Sequence, residues 1–244
     1  MNSKVSVICC YNDKEVLTNM LEHSLNNQNV DVEQIFINNT DNKYSSAAAA
    51  LNHGASISNG DILCFVHQDI ELIDNETIMK IIYYIEHNDD CILGLAGKAE
   101  DNYLYTNMKQ GRDHQYAGEK QIDSLKQGQI LDESFVALKK DLFMEYQFDE
   151  QTCSNWHLYT VDLCLTLGSN NVYSYVIPCD AYHFSLGNTG IEFYISLLLV
   201  ARKHHADYPV IYATCATIST SFFNRLSYVL FHIAKVFVKT HLFN

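Results

Sequence analysis

The stretch Phe65-Val66-His67-Gln68-Asp69 sets an imidazole and a carboxylate two residues apart, just past an apolar run. Ile62 to Val66 is short and apolar, so it reads as a buried strand that delivers Asp69 to a sheet edge. One carboxylate together with two phosphates can complete the oxygen shell of Mg²⁺ or Mn²⁺. Asp after a strand also serves as a turn or helix cap, and the residues alone leave that open. His183, in Tyr182-His183-Phe184-Ser185, follows a strand-like run at Tyr173 to Ile177. It could ligate a metal or pack as a structural histidine beside its aromatic neighbours.

The elements that must carry these groups alternate. Val5 to Cys10, Val32 to Ile37, Ile62 to Val66 and Ile92 to Ala96 read as buried strands. Helical spacing is expected between them at Glu15 to Asn26, Ser45 to Ser58 and Asn75 to His87. Such alternation predicts an α/β fold with parallel βαβ units, whose ligands bind at the carboxyl ends of the strands. Three polar clusters fall at those ends: Tyr11-Asn12-Asp13, Asn38-Asn39-Thr40 and His67-Gln68-Asp69. Lys98 to Gln129 loses periodicity and reads as a long loop or lid carrying short helices. Order returns at Ile130 to Leu138, followed by helices near Lys140 to Tyr146, Thr160 to Leu167 and Ile191 to His204.

The 244-residue length predicts one large domain, here residues 1–220, with a helical extension at 221–244. In that extension Phe222, Leu226, Val229, Leu230, Ile233, Val236 and Phe237 form an apolar stripe, and Arg225, Lys235 and Lys239 are its charges. A helix of this kind either lies on an anionic membrane or docks on the core or a partner subunit. A net charge of −13 argues against nucleic acid and suggests that a cation must stand between this protein and an anionic nucleotide. The 8 cysteines include no Cys-x-x-Cys pair, and the reading is a reducing cytoplasm without structural zinc. The run Met1-Asn2-Ser3-Lys4 leads straight into a strand, with no signal peptide expected, and Phe193 to Ala201 is too short to span a bilayer.

Taken in order, these segments resemble the inverting glycosyltransferases of family 2, which have the GT-A fold, and in particular a bacterial subgroup with a His-Gln-Asp metal motif. The resemblance runs from Val5 to about Gly190 and rests on Val5-Ser6-Val7-Ile8 with Tyr11-Asn12, on Asn38-Asn39-Thr40, and on Ala50-Leu51-Asn52-His53-Gly54. It continues through Leu131-Asp132-Glu133-Ser134-Phe135, Leu138 to Phe143 and Phe148-Asp149-Glu150. It implies a mostly parallel sheet flanked by helices and transfer of a sugar from a UDP-sugar to a glycan or lipid-linked glycan. The setting implied is bacterial surface polysaccharide synthesis, in the cytoplasm or at the inner face of the membrane. Asp69 and His183 are implied as ligands of Mn²⁺ or Mg²⁺. Tyr11, Asn12, Asn39, Asn52 and His67 are implied at the nucleotide, with Asn39 accepting from a uracil N–H through its carbonyl. Asp132 and Glu133 are implied at the donor sugar.

Inverting transfer needs a base for the acceptor hydroxyl. Where the family places Glu-Asp, this chain has Tyr159-Thr160, and Asp162 is the carboxylate that follows. Asp162 is therefore the expected base, with His157 second; Asp162 could instead be a helix N-terminal carboxylate. Loss of the Glu-Asp pair also leaves open an inactive subunit that binds a nucleotide sugar or pairs with an active partner as an oligomer. A nucleotidyltransferase fits less well, because Cys10-Tyr11-Asn12-Asp13-Lys14 is not a Gly-rich, basic phosphate loop.

Overall fold

The computed structural model describes residues 3–88, 90–187 and 189–242, with side chains described through Lys239. Met1 and Asn2 of the leader reading, and the expected ends at 1 and 244, lie outside the described residues. The strands are β1 (Val5–Tyr11), β2 (Glu33–Asn38), β3 (Ile62–Val66), β4 (Ile70–Leu72), β5 (Cys91–Gly94), β6 (Ala96–Lys98), β7 (Leu104–Thr106) and β8 (Lys109–Gln110). They continue as β9 (Gln115–Tyr116), β10 (Lys126–Gly128), β11 (Ile130–Leu131), β12 (Phe135–Lys139), β13 (Tyr173–Val176), β14 (Ala181–His183), β15 (Val210–Ala213) and β16 (Ala216–Ser219). The helices are α1 (Lys14–Leu17), α2 (His23–Asn26), α3 (Ala47–Ile57), α4 (Thr77–His87), α5 (Lys140–Tyr146), α6 (Tyr159–Ser169), α7 (Ile191–Lys203) and α8 (Phe222–Leu242).

The main sheet has the order β10-β13-β5-β12-β3-β1-β2. β1, β2, β3, β5 and β13 run one way; β10 and β12 run the other. The α/β, mostly parallel fold is thus as expected, with β12 inserted antiparallel between β3 and β5. Strand side chains alternate between two cores, as a period of two requires. Ile8, Leu63 and Phe65 join a core beneath α3, α6 and α7. Val7, Cys9, Cys64 and Val66 join a second core under α4 and the helical segment 14–26. Both faces of β1 and β3 are therefore covered, which is why these strands are apolar apart from Ser6 and Tyr11 toward the ends of β1.

Local sequence fixes how the chain leaves each strand. Asp13, two residues past β1, caps α1, its Oδ1 accepting from Glu15 N and Val16 N at 3.0 and 3.1 Å. Ser46 does the same for α3 through Ala49 N at 3.2 Å. A Cβ on Gly54 would collide with Ile8 Cγ2, so glycine lets α3 settle directly on β1.

Four sequence expectations are corrected. The helix expected over 15–26 is interrupted by a π turn at Thr18–Glu22. Its buried residues Leu17, Leu21 and Leu25 repeat every four positions, longer than a regular 3.6-residue turn, and the π turn absorbs the difference. The excursion 98–129 carries the short strands β7 to β10 in place of helices. Ile130 to Leu138 divides into β11 and β12 around Asp132 and Glu133. The hairpin β15–β16 was not anticipated; its Ile211, Ala213 and Ile218 are buried against the α6–α7 side.

Candidate active site

β3 ends at Val66, and the chain turns through His67-Gln68-Asp69 into β4. β4 pairs antiparallel with β14, with His183 opposite Ile70. That register brings two distant segments together at the sheet edge. Phe184 N donates to the Asp69 carbonyl at 3.0 Å, and Ser185 N donates to Asp69 Oδ2 at 3.2 Å. His183 Nε2 lies 3.4 Å from Asp69 Oδ1 and 3.1 Å from Ser185 Oγ. His67, Asp69 and His183 each place a ligand atom within 4.8 Å of the other two. Two imidazoles and one carboxylate suit a divalent transition ion such as Mn²⁺, and the group can hold one. His67 was expected at the nucleotide; the geometry makes it part of this metal group. Its Nε2 contacts the Tyr159 hydroxyl at 3.0 Å, which fixes the ring and leaves Nδ1 as its other ligand atom.

Electrostatics prepare His67 and Asp69 for ligation, while an ion at His183 must displace its proton. Burial, and then the neighbouring His183, push the His67 imidazole below its usual range, so it is neutral at pH 7. Burial alone would raise the Asp69 carboxyl, but hydrogen bonding and charge from His183, with His67 and Ser185 behind it, hold it well below the carboxylate range. Burial would lower His183, and the bond to Asp69 outweighs it and raises the imidazole.

A cleft of about 510 Å³ opens from this group across the ends of β1 and β2. Its walls include Tyr11, Asn12, Asn39, Asn42, Leu51 and Trp156. Gln68 links the two halves: its Oε1 accepts from Asn12 N and Asp13 N, both at 3.0 Å, and its Nε2 donates to Asn12 Oδ1 at 2.8 Å. Cys10 also lines the cleft, but burial pushes its thiol up to about 11, so it is no thiolate nucleophile.

The remaining expected residues divide. Tyr11, Asn12 and Asn39 line the cleft. Asn39 is already engaged, its Oδ1 accepting from Tyr44 N at 2.7 Å and its Nδ2 donating to Tyr44 O at 3.1 Å. Its amide is therefore committed to the turn, and the residue is only 3% exposed. Asn52 lies outside the cleft lining and ties α3 to the chain after α5, with Nδ2 donating to Phe148 O at 3.0 Å and Glu150 Oε1 at 2.9 Å. Phe148 N donates back to its Oδ1 at 3.1 Å. Asp132 Oδ1 accepts from Ser134 N at 3.0 Å, close enough to the metal group to raise both His67 and His183. Glu133 is half-buried; desolvation and then the Asp132 charge push its carboxyl well above the usual range, against backbone N–H groups at Leu158 and Tyr159. Backbone hydrogen bonds from Leu158 and Tyr159 tie this side chain to the start of α6.

Asp162 is corrected most clearly. It is 2% exposed, and its oxygens accept from Lys203 Nζ at 2.7 Å and His204 Nε2 at 2.8 Å. It faces α7 and forms no part of the cleft wall. His157 is not in the cleft wall either, but it directly follows Trp156, which is; it is half-buried, its ring meets Phe193 edge-on at 5.7 Å, and its charge is felt by His67. Burial lowers its imidazole, opposed by Glu192.

Sequence reasoning missed Gln68, Asn42, Tyr159 and Trp156. Gln68 sits inside the noted motif, and Trp156 is the chain's sole tryptophan, 39% exposed beside His157. Tyr159 carried no signal because its partner His67 lies far along the chain, and Asn42 because only the structure shows which of its neighbours' side chains the turn uses up.

Residues 6–190 match a family described as "Glycosyltransferase like family". The chain belongs to this family. Its fold is that of the GT-A glycosyltransferases. The structure of S. aureus TarS 1–349 in complex with UDP-GlcNAc aligns with a TM-score of 0.59 at 16% identity, covering 84% of this chain and 67% of that one. Mannosyltransferase PcManGT from Pyrobaculum calidifontis, in complex with GDP-Man and Mn²⁺, aligns at 0.59 and 11%, over 85% and 66%. GalNAc-T7 with UDP, GalNAc and Mn²⁺ aligns at 0.58 and 11%, over 75% and 43%. This glycosyltransferase chain thus spans about two thirds or less of the length of these structures. Comparison with curated protein sequences gives no match.

Proposed function

We propose that this chain transfers a sugar from a UDP-sugar to a hydroxyl of a glycan or lipid-linked glycan, with inversion at the anomeric carbon. The observation that carries the reading is the cleft itself: a His67–Asp69–His183 group at one end and an amide-lined, uncharged wall at the other. A diphosphate belongs at the first and a nucleoside at the second. Galactose, glucose or their N-acetyl forms are the donors proposed, and bacterial surface polysaccharide or glycoconjugate synthesis in the cytoplasm is the setting. The solved relatives carrying UDP-GlcNAc, or UDP with Mn²⁺, support this choice.

When bound, Mn²⁺ or Mg²⁺ neutralises the charge that builds on the departing diphosphate. His67, Asp69 and His183 would hold it, and Tyr159 keeps the His67 ring oriented. His157 is the proposed base: neutral at pH 7, it takes the acceptor proton as the oxygen bonds to the anomeric carbon. The bond from that carbon to the phosphate oxygen breaks in the same step, releasing the nucleoside diphosphate. Asp132, beside the metal group, is proposed to hold donor-sugar hydroxyls. Calorimetry with UDP, GDP and CDP in the presence of Mn²⁺ tests the reading; no binding of any of them would end it.

Thr160 in place of the family's carboxylate, and Asp162 committed to Lys203 and His204, favour one alternative. In it the chain binds a nucleotide sugar without transferring it. Slow metal-dependent hydrolysis of a donor panel separates the two: turnover lost in His157→Ala supports the enzyme, and binding with no turnover supports the scaffold.

α8 is proposed to touch an anionic membrane surface. Its Val229 is buried, and Tyr228 and Ile233 pack against the core, so this face docks on the protein. Phe223, Leu230 and Phe231 on the other side are 82%, 57% and 65% exposed, flanked by Lys235 and Lys239. No described helix is long and apolar enough to cross a membrane.

A further inference from the structure

We propose that Asn42, rather than Asn39, reads the edge of the nucleobase, and that its carboxamide lets the cleft accept both uracil and cytosine. The inference rests on the nucleotide-sugar reading above. It starts from which polar atoms at the nucleoside end are already in use.

In the turn that follows β2, three side chains are tied to backbone. Asn38 Oδ1 accepts from Thr40 N at 2.9 Å, Asn39 is bound at both ends to Tyr44, and Asp41 Oδ1 accepts from Lys43 N at 3.3 Å. Together they hold Asn42 in the left-handed region, at φ 56°, with its N–H donating to Asn39 O at 3.1 Å. Asn42 lines the cleft, and among the described contacts its carboxamide has no protein hydrogen bond.

The second reader is fixed by Gln68. Two backbone N–H groups, of Asn12 and Asp13, identify the Gln68 atom facing them as the oxygen. Its nitrogen must then donate to Asn12, so Asn12 presents Oδ1 to Gln68, and among the described residues its Nδ2 has no partner. Asn12 therefore offers the cleft only a donor. β3, β1 and β2 are successive neighbours about 4.8 Å apart, so roughly 10 Å separates the metal group from this turn. A ribose bridges that gap between diphosphate and base.

A carboxylate in this place would only accept, and so would favour uracil N3–H and repel cytosine N3. The Asn42 carboxamide carries an acceptor beside a donor and can turn over. One orientation pairs with uracil N3–H and a carbonyl. The other pairs with cytosine N3 and its amino group. The fixed Asn12 donor meets O2, which both bases share.

Titration calorimetry of the full chain with UDP, CDP and pyrophosphate, each with Mn²⁺, tests this. Wild type should bind UDP and CDP within a few-fold of each other. Asn42→Gly keeps the left-handed backbone without strain. It should weaken both nucleotides about tenfold while leaving pyrophosphate unchanged. Asn42→Asp should raise the UDP-to-CDP affinity ratio about tenfold. Nucleotide affinities unaltered in Asn42→Gly, or a ratio unaltered in Asn42→Asp, would overturn the assignment while the glycosyltransferase reading stands. Wild-type protein that binds none of the three would overturn both.

Discussion

His183 Nε2 lies 3.4 Å from Asp69 Oδ1, and the pairing of β14 with β4 is what brings them there. The carboxylate is also held by Ser185 N, so its orientation is set before any ion arrives. Asp69→Asn keeps the shape and removes the charged ligand. Mn²⁺ affinity should fall by about 100-fold or more, since even outer-shell changes at metal sites cost 10 to 100-fold. Wild-type protein at an ion concentration of 100 Kd should gain about 2.7 kcal/mol of stability, and the Asp69→Asn variant almost none. Thermal unfolding with and without Mn²⁺ checks both; equal shifts in the two proteins would remove Asp69 from the metal site.

His157 and Asp162 separate a catalytic role from a structural one. A histidine base works only when unprotonated, and burial holds His157 below the usual imidazole range. Transfer rate should therefore be level near neutral pH and fall as pH drops through a value below about 6.5. His157→Gln should lower kcat by about 100-fold or more and leave donor KM nearly unchanged. Asp162→Asn leaves Lys203 and His204 facing an uncharged group in a buried pocket, at a cost of about 2 to 4 kcal/mol in stability. Per folded molecule its turnover should persist. A dead, fully stable Asp162→Asn would return the base to Asp162.

What the sequence made legible follows from range. β1 and β3 declare themselves because both faces are covered and nearly every residue is apolar, and β2 through its central Ile35-Phe36-Ile37 run. Their polar ends identify the site edge; local pattern places Asp69 on it, and the order of the matching segments is what implies its role as a metal ligand. Asp162 misled because a carboxylate at a helix start looks the same whether it faces a cleft or a lysine; Lys203 and His204 lie at the C-terminal end of α7, beyond any local window. Asn39 and Asn52 misled for the same reason, their amides being taken by Tyr44 and by Phe148 with Glu150. The antiparallel insertion of β12 depends on pairing with β3 and β5 together, which no single segment encodes.

α8 offers a test of the membrane proposal. Its outer face shows Phe223, Leu230 and Phe231, and its charged residues are all basic in a chain of net charge −13. Each basic group near an anionic surface contributes about 1 kcal/mol. Sedimentation with vesicles containing phosphatidylserine should recover the protein, and vesicles of phosphatidylcholine should not. The double variant Lys235→Glu, Lys239→Glu should lower recovery on the order of tenfold. Equal recovery on both lipids would disprove the electrostatic part of the contact.

Asn52 separates folding from ligand binding. Its side chain donates to Phe148 O and Glu150 Oε1 and accepts from Phe148 N, all between 2.9 and 3.1 Å. Phe148 is itself 2% exposed and packs against Phe65, Phe143 and Tyr159, whose hydroxyl holds His67. Asn52→Ala leaves the Phe148 N–H and carbonyl without their partner, which should cost about 1 to 3 kcal/mol in denaturant unfolding. Because Asn52 is outside the cleft wall, UDP affinity with Mn²⁺ should stay within about twofold of wild type. A large loss of UDP affinity with unchanged stability would restore Asn52 to the nucleotide, and would mean that α3 meets the ligand through its second turn.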